Sequence, residues 1–154
     1  MENEFEKLGL NDKVLKSIKK LNYEKPSEIQ EKMIPLIMKG IDLIGQAETG
    51  TGKTLAYAAS ILSKIDVNDN RVKAIILTPT RELALQVCEE FTGLNYSSNF
   101  DILAVYGGSS IENQIDVVAN NNDKLPTAWP EHILLLIVAL MLWGGVFLYN
   151  FKRS

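Results

Sequence analysis

The chain has 154 residues, 46% of them hydrophobic and 23% charged, the balance of one folded domain rather than of a disordered segment. Its formal charge of -3 excludes a broad basic surface for nucleic acid, so any such contact must come from a few placed donors. A single cysteine, Cys88, excludes an internal disulfide, and the acidic start lacks the apolar core of a secretory signal.

Asn11 and Asp12 stand before Val14, Leu15 and Ile18, which predicts a short capped amphipathic helix. Ser27 opens a second helix over Glu28 to Met38, with Ile29, Met33, Ile34 and Ile37 on or near one face. Pro35 is expected to bend or break it, and Gly40 to stop it. Ile41 to Gln46 reads as a short buried strand. Leu55, Ala58, Ala59, Leu62 and Ile65 fall at helical spacing, which predicts a helix over Lys53 to Ile65. The cycle then repeats, with a strand over Val72 to Leu77, a helix over Glu82 to Phe91 and a strand over Ile102 to Tyr106. Strands alternating with helices predict an α/β fold, a parallel sheet with flanking helices.

The sharpest local signal is Ala47-Glu48-Thr49-Gly50-Thr51-Gly52-Lys53-Thr54, between a predicted strand and a predicted helix. Gly50 and Gly52 let backbone N–H groups approach phosphate oxygens without a Cβ in the way. The helix starting near Lys53 points its positive dipole end at the same anion. Lys53 can reach the β- and γ-phosphates of a nucleotide, and the Thr54 hydroxyl can ligate Mg²⁺.

These residues resemble the amino-terminal RecA-like domain of DEAD-box RNA helicases, in which Ala replaces the first Gly of the general P-loop pattern. Asn22 to Gln30 resembles that family's Q motif, and Phe5 sits where the family places an isolated aromatic residue. The family usually has Gly-Phe where Asn22-Tyr23 stands. Pro79-Thr80-Arg81-Glu82-Leu83 resembles motif Ia, and Gly107-Gly108 the double-glycine motif, with Gln114 where a family Gln often follows. The resemblance covers roughly residues 5 to 115 and implies a partial RecA-like (P-loop) sheet over residues 1–119. It implies ATP with Mg²⁺ as the ligand, Gln30 hydrogen-bonding the adenine edge and Phe5 stacking on its face. Lys25 and Ala47 to Thr54 would complete that site, with Thr54 on the metal. Pro79, Thr80, Arg81, Glu82, Gly107, Gly108 and Gln114 are implied to grip RNA along its sugar-phosphate backbone without reading sequence.

The family's Asp-Glu-Ala-Asp motif does not occur in this sequence. Phosphoryl transfer needs a carboxylate to hold the Mg²⁺ shell and a group to orient the attacking water. The expected function is therefore the ATP- and RNA-backbone-binding portion of a helicase that neither hydrolyses ATP nor unwinds RNA by itself.

Residues 120–131 read as a polar linker, and from Ile133 to Tyr149 every residue is apolar, aromatic or glycine. A helix over 133–151 would span about 28 Å, close to a bilayer's hydrocarbon core. With Lys152 and Arg153 behind it, the segment 132–154 is expected to be a hydrophobic transmembrane helix with a basic end. It would anchor a cytoplasmic nucleotide-binding part to a membrane. The alternatives are thus a membrane-anchored nucleotide- or RNA-binding module, or a non-functional truncated or chimeric fragment.

Overall fold

A computed structural model describes residues 4–65, 73–95, 101–107, 133–139 and 148–149; for the last two segments only the backbone is described. The chain divides into two compact units, residues 1–65 with 90–98 and 145–154, and residues 66–89 with 99–144.

The first unit opens with a 3-10 turn, Glu4–Leu8, followed by α1, Asp12–Lys20. Asn11 caps α1, its Oδ1 accepting from the Val14 N–H at 2.9 Å. It also binds the end of a later helix, where its Nδ2 donates to Ser63 O at 3.2 Å. The far end of α1 closes with paired bonds from Tyr23 N to Ile18 O and from Asn22 N to Lys19 O. Asn22 sits there at φ 60°, a left-handed conformation that Asn tolerates better than most side chains.

α2, Glu28–Met38, buries Gln30, Met33, Ile34 and Ile37. Pro35 does not break it. Proline removes one backbone donor, and the buried side chains on either side of it hold the helix through the gap. α3, Lys53–Lys64, is buried at every position from Leu55 to Leu62, where Ala56, Ala58, Ala59 and Ser60 supply small surfaces. Lys64 Nζ donates to Ile37 O at 3.0 Å, satisfying a carbonyl at the end of α2. Phe5, Val14, Ile18, Ile34, Ile37, Leu62, Phe91 and Leu94 form the core of this unit. The strand before α3 is shorter and more exposed than Ile41 to Gln46 suggested. β1 is Leu43–Ile44, with Ile44 69% exposed. It pairs antiparallel with β5, Leu148–Tyr149.

The second unit holds β2, Ala74–Thr78; most of α4, which runs Arg81–Leu94; β3, Asp101–Val105; and β4, Ile133–Ala139. A parallel sheet is here, in the order β2-β4-β3, and β1, expected to belong to it, pairs only with β5 among the described residues. Ala84 and Val87 of α4 are buried, and Cys88 Sγ lies 3.9 Å from Ile102 O of β3.

The apolar carboxyl-terminal run corrects the helical reading of 133–151. Ile133–Ala139 is the middle strand of this sheet, in register Ala74↔Leu135 with β2 and Ile102↔Leu135 with β3. A strand paired on both edges in a parallel sheet is an unbroken apolar run in sequence, as a membrane helix is, and the backbone pairing decides between them. Among the described residues no helix is long and apolar enough to cross a membrane. The expected linker at 120–131 and residues 140–147 lie outside the described residues.

Candidate nucleotide and nucleic-acid sites

The loop from Gly45 to Gly52 joins β1 to α3 and carries the expected phosphate-binding residues. Gly50 and Gly52 have φ of 82° and 86°, the left-handed region that penalises any Cβ. Gly52 is the N-cap of α3 and has no side chain to occupy the helix's first N–H groups. A Cβ built on Gly50 would meet nothing within 4 Å, so one side of the loop is open to an incoming group. Thr51 Oγ1 donates to Glu48 O at 2.8 Å, and Lys53 Nζ donates to Ala47 O and Glu48 O, each at 2.5 Å. The lysine thus closes the loop through the loop's own carbonyls.

Behind this loop stands α2. Ser27 Oγ donates to Thr51 O at 2.7 Å, and Gln30 Nε2 donates to Gly52 O at 3.1 Å. Gln30 Oε1 accepts from the Ser27 N–H at 2.9 Å. Gln30 is only 3% exposed, so this amide is a brace between α2 and the phosphate loop. The sequence assigned Gln30 to an adenine edge; its amide oxygen and nitrogen also each make one bond to the protein. Phe5, expected to stack on adenine, is 0% exposed and presents no free ring face. Lys25 is exposed, with its ammonium 4.0 Å from Glu4.

Thr54 lies at the first turn of α3. Burial pushes the Tyr57 phenol up to about 12, opposed by its hydrogen bond with the Thr54 side chain and reinforced by nearby Glu90. Tyr57 also packs on Phe91, ring centroids 5.9 Å apart. The uncapped helix terminus, Lys53 and the Thr54 hydroxyl fit a polyphosphate with a metal bound to it. Among the described residues no group of three or more His, Cys, Asp or Glu could hold a metal without that phosphate.

In the second unit, Pro79 and Thr80 link β2 to α4. Thr80 Oγ1 accepts from the Leu83 N–H at 3.2 Å, and Thr78 Oγ1 donates to Thr80 O at 3.1 Å. The Thr80 hydroxyl, expected to face RNA, caps α4. Arg81 and Glu82 are exposed at the head of α4. The Arg81 guanidinium carbon lies 4.4 Å from the centroid of the Tyr106 ring. Gly107 follows Tyr106 and is exposed, with nothing within 4 Å of an added Cβ. Gly108 and Gln114 lie outside the described residues. Sequence reasoning missed Tyr57 and Tyr106, because an isolated tyrosine has no motif and only packing reveals its partner.

The DEAD/DEAH box helicase family profile matches residues 27–144, running through the expected linker. ATP-dependent RNA helicase CshA of Listeria monocytogenes is 49% identical over 130 residues, which are 84% of this chain and 25% of that protein. The chain thus spans about a quarter of the length of the curated relatives it matches. A DEAD box protein from the hyperthermophile Methanococcus jannaschii superposes with a TM-score of 0.73 at 34% identity, over 88% of this chain and 34% of that one. A Dbp5 variant of S. cerevisiae, bound to RNA and ADP BeF3, superposes with a TM-score of 0.70 at 26% identity, over 90% of this chain and 32% of that one. This chain therefore belongs to the DEAD/DEAH box helicase family, and its fold is that of the family's amino-terminal RecA-like domain.

Proposed function

We propose that the chain is the ATP- and RNA-backbone-binding portion of a DEAD-box RNA helicase, working in the cytoplasm where both ligands are present. The observation that carries this reading is the loop from Ala47 to Gly52, open at Gly50, braced by Gln30 and leading into an uncapped helix. Backbone N–H groups at the head of α3 would bind the phosphates, and Lys53 would exchange its loop carbonyls for β- and γ-oxygens. Thr54 would hold Mg²⁺, which supplies charge neutralisation between the phosphates. The RNA side would rest on Pro79 to Glu82 and Gly107, where exposed donors at the head of α4 suit a phosphate. That the Dbp5 relative binds RNA and a nucleotide supports both halves.

With no Asp-Glu-Ala-Asp motif in the sequence, turnover and unwinding fall outside what these residues do by themselves. The test is a titration of a fluorescent ATP analogue with Mg²⁺ into the full chain and into Lys53→Ala, beside a phosphate-release assay with RNA. Saturable binding lost in Lys53→Ala, without phosphate release, is expected. RNA-stimulated release would overturn the catalytic part. A chain that binds no nucleotide would be the non-functional fragment.

A further inference from the structure

We infer that Tyr106 is a positioning residue for RNA phosphate binding, holding the Arg81 guanidinium over its ring at the head of α4. This rests on the RNA-binding reading above and adds a residue that no motif contains. β2 and β3 both run parallel to β4, so Thr78 and Val105 end at the same edge of the sheet. Arg81 follows the first of these ends and Tyr106 the second, and the 4.4 Å stack closes the gap between the two segments. Carboxyl edges of parallel strands are where α/β sheets take their ligands.

The geometry matters because of what each part of a guanidinium does. Its face stacks on an aromatic ring, while its five N–H donors lie in the plane at the edge. With the guanidinium carbon 4.4 Å from the ring centroid, a guanidinium lying flat on the ring would keep its donor fork available for a phosphate. An exposed arginine otherwise samples many rotamers and loses that freedom on gripping a ligand. Tyr106 restricts Arg81 beforehand, next to exposed Gly107, which lets a backbone come close.

The experiment measures binding of the full chain to fluorescein-labelled polyuridine by anisotropy, with Tyr106→Phe, Tyr106→Leu, Arg81→Ala and the Tyr106→Leu/Arg81→Ala double variant. Tyr106→Leu is expected to weaken binding about 5-fold and Tyr106→Phe less than about 2-fold. In the Arg81→Ala background, Tyr106→Leu should have no further effect. The Arg81 side-chain N–H resonance should also show a ring-current shift in the free chain that Tyr106→Leu removes. If Tyr106→Leu loses its folded circular dichroism, Arg81→Lys replaces it. That change keeps the charge but removes both the planar face and the donor fork, and should weaken binding at least as much. Wild-type binding left unchanged by Tyr106→Leu or Arg81→Lys would overturn this inference alone. A wild-type chain that binds no polyuridine would overturn the RNA reading and this inference with it.

Discussion

The side-chain nitrogen of Gln30 donates to the carbonyl of Gly52 at 3.1 Å, so one buried amide ties α2 to the N-cap of α3. Its oxygen holds the Ser27 N–H at 2.9 Å, and Ser27 in turn holds Thr51 O. The phosphate loop is therefore braced from α2.

Gln30→Glu keeps the acceptor for Ser27 but puts carboxylate oxygen against the Gly52 carbonyl in a buried place. It should cost about 1–3 kcal/mol of stability, with Gln30→Ala in the same range. Urea unfolding of the two variants measures this. A midpoint equal to that of the wild type would mean that the brace carries no energy.

Gly52→Ala meets two obstacles. Its φ of 86° strains any L side chain, and the new Cβ would run into the Gln30 amide. The expected loss is about 2 kcal/mol, with weaker nucleotide binding because the loop must shift. Gly50→Ala has the strain without the clash, since nothing lies within 4 Å there, and should cost less. Equal thermal midpoints for the two would contradict this ordering.

Asn22 occupies a left-handed position at the end of α1. Asn22→Gly should leave stability unchanged or raise it slightly, whereas Asn22→Val should lower it by about 1–2 kcal/mol. Thermal denaturation would expose the error if valine proved harmless.

Tyr57 gives the fold an alkaline limit. Its folded pKa is raised to about 12 from 10.0, chiefly by burial. Below pH 10 both states carry the proton and the contribution is fully present. Between pH 10 and about 12 only the unfolded state loses it, so stability falls by about 1.4 kcal/mol per pH unit. Nucleotide-free Tyr57→Phe should show a shallower decline over that window. Parallel curves for the two proteins would assign the alkaline limit elsewhere.

Ser27 and the loop glycines were legible because each answers a local demand: a helix start and a Cβ-free approach. The protein bonds of Gln30 and the burial of Phe5 were not, because which partner a buried side chain meets depends on contacts across the chain. Gln30, expected on a nucleotide, also bonds Ser27 and Gly52. Ile133–Ala139 failed for a different reason. An apolar run carries no period that separates a membrane helix from a doubly paired strand, and only pairing with Ala74–Thr78 and Asp101–Val105 settles it.

The central claim is that the backbone between Thr49 and Thr54 receives a triphosphate. Hydrogen exchange of those amides, measured with and without Mg²⁺ and ATP, addresses it residue by residue. The account predicts slowed exchange at Gly50 to Thr54 on adding ATP, and no slowing in Lys53→Ala. Unchanged exchange across that loop at saturating ATP would contradict it.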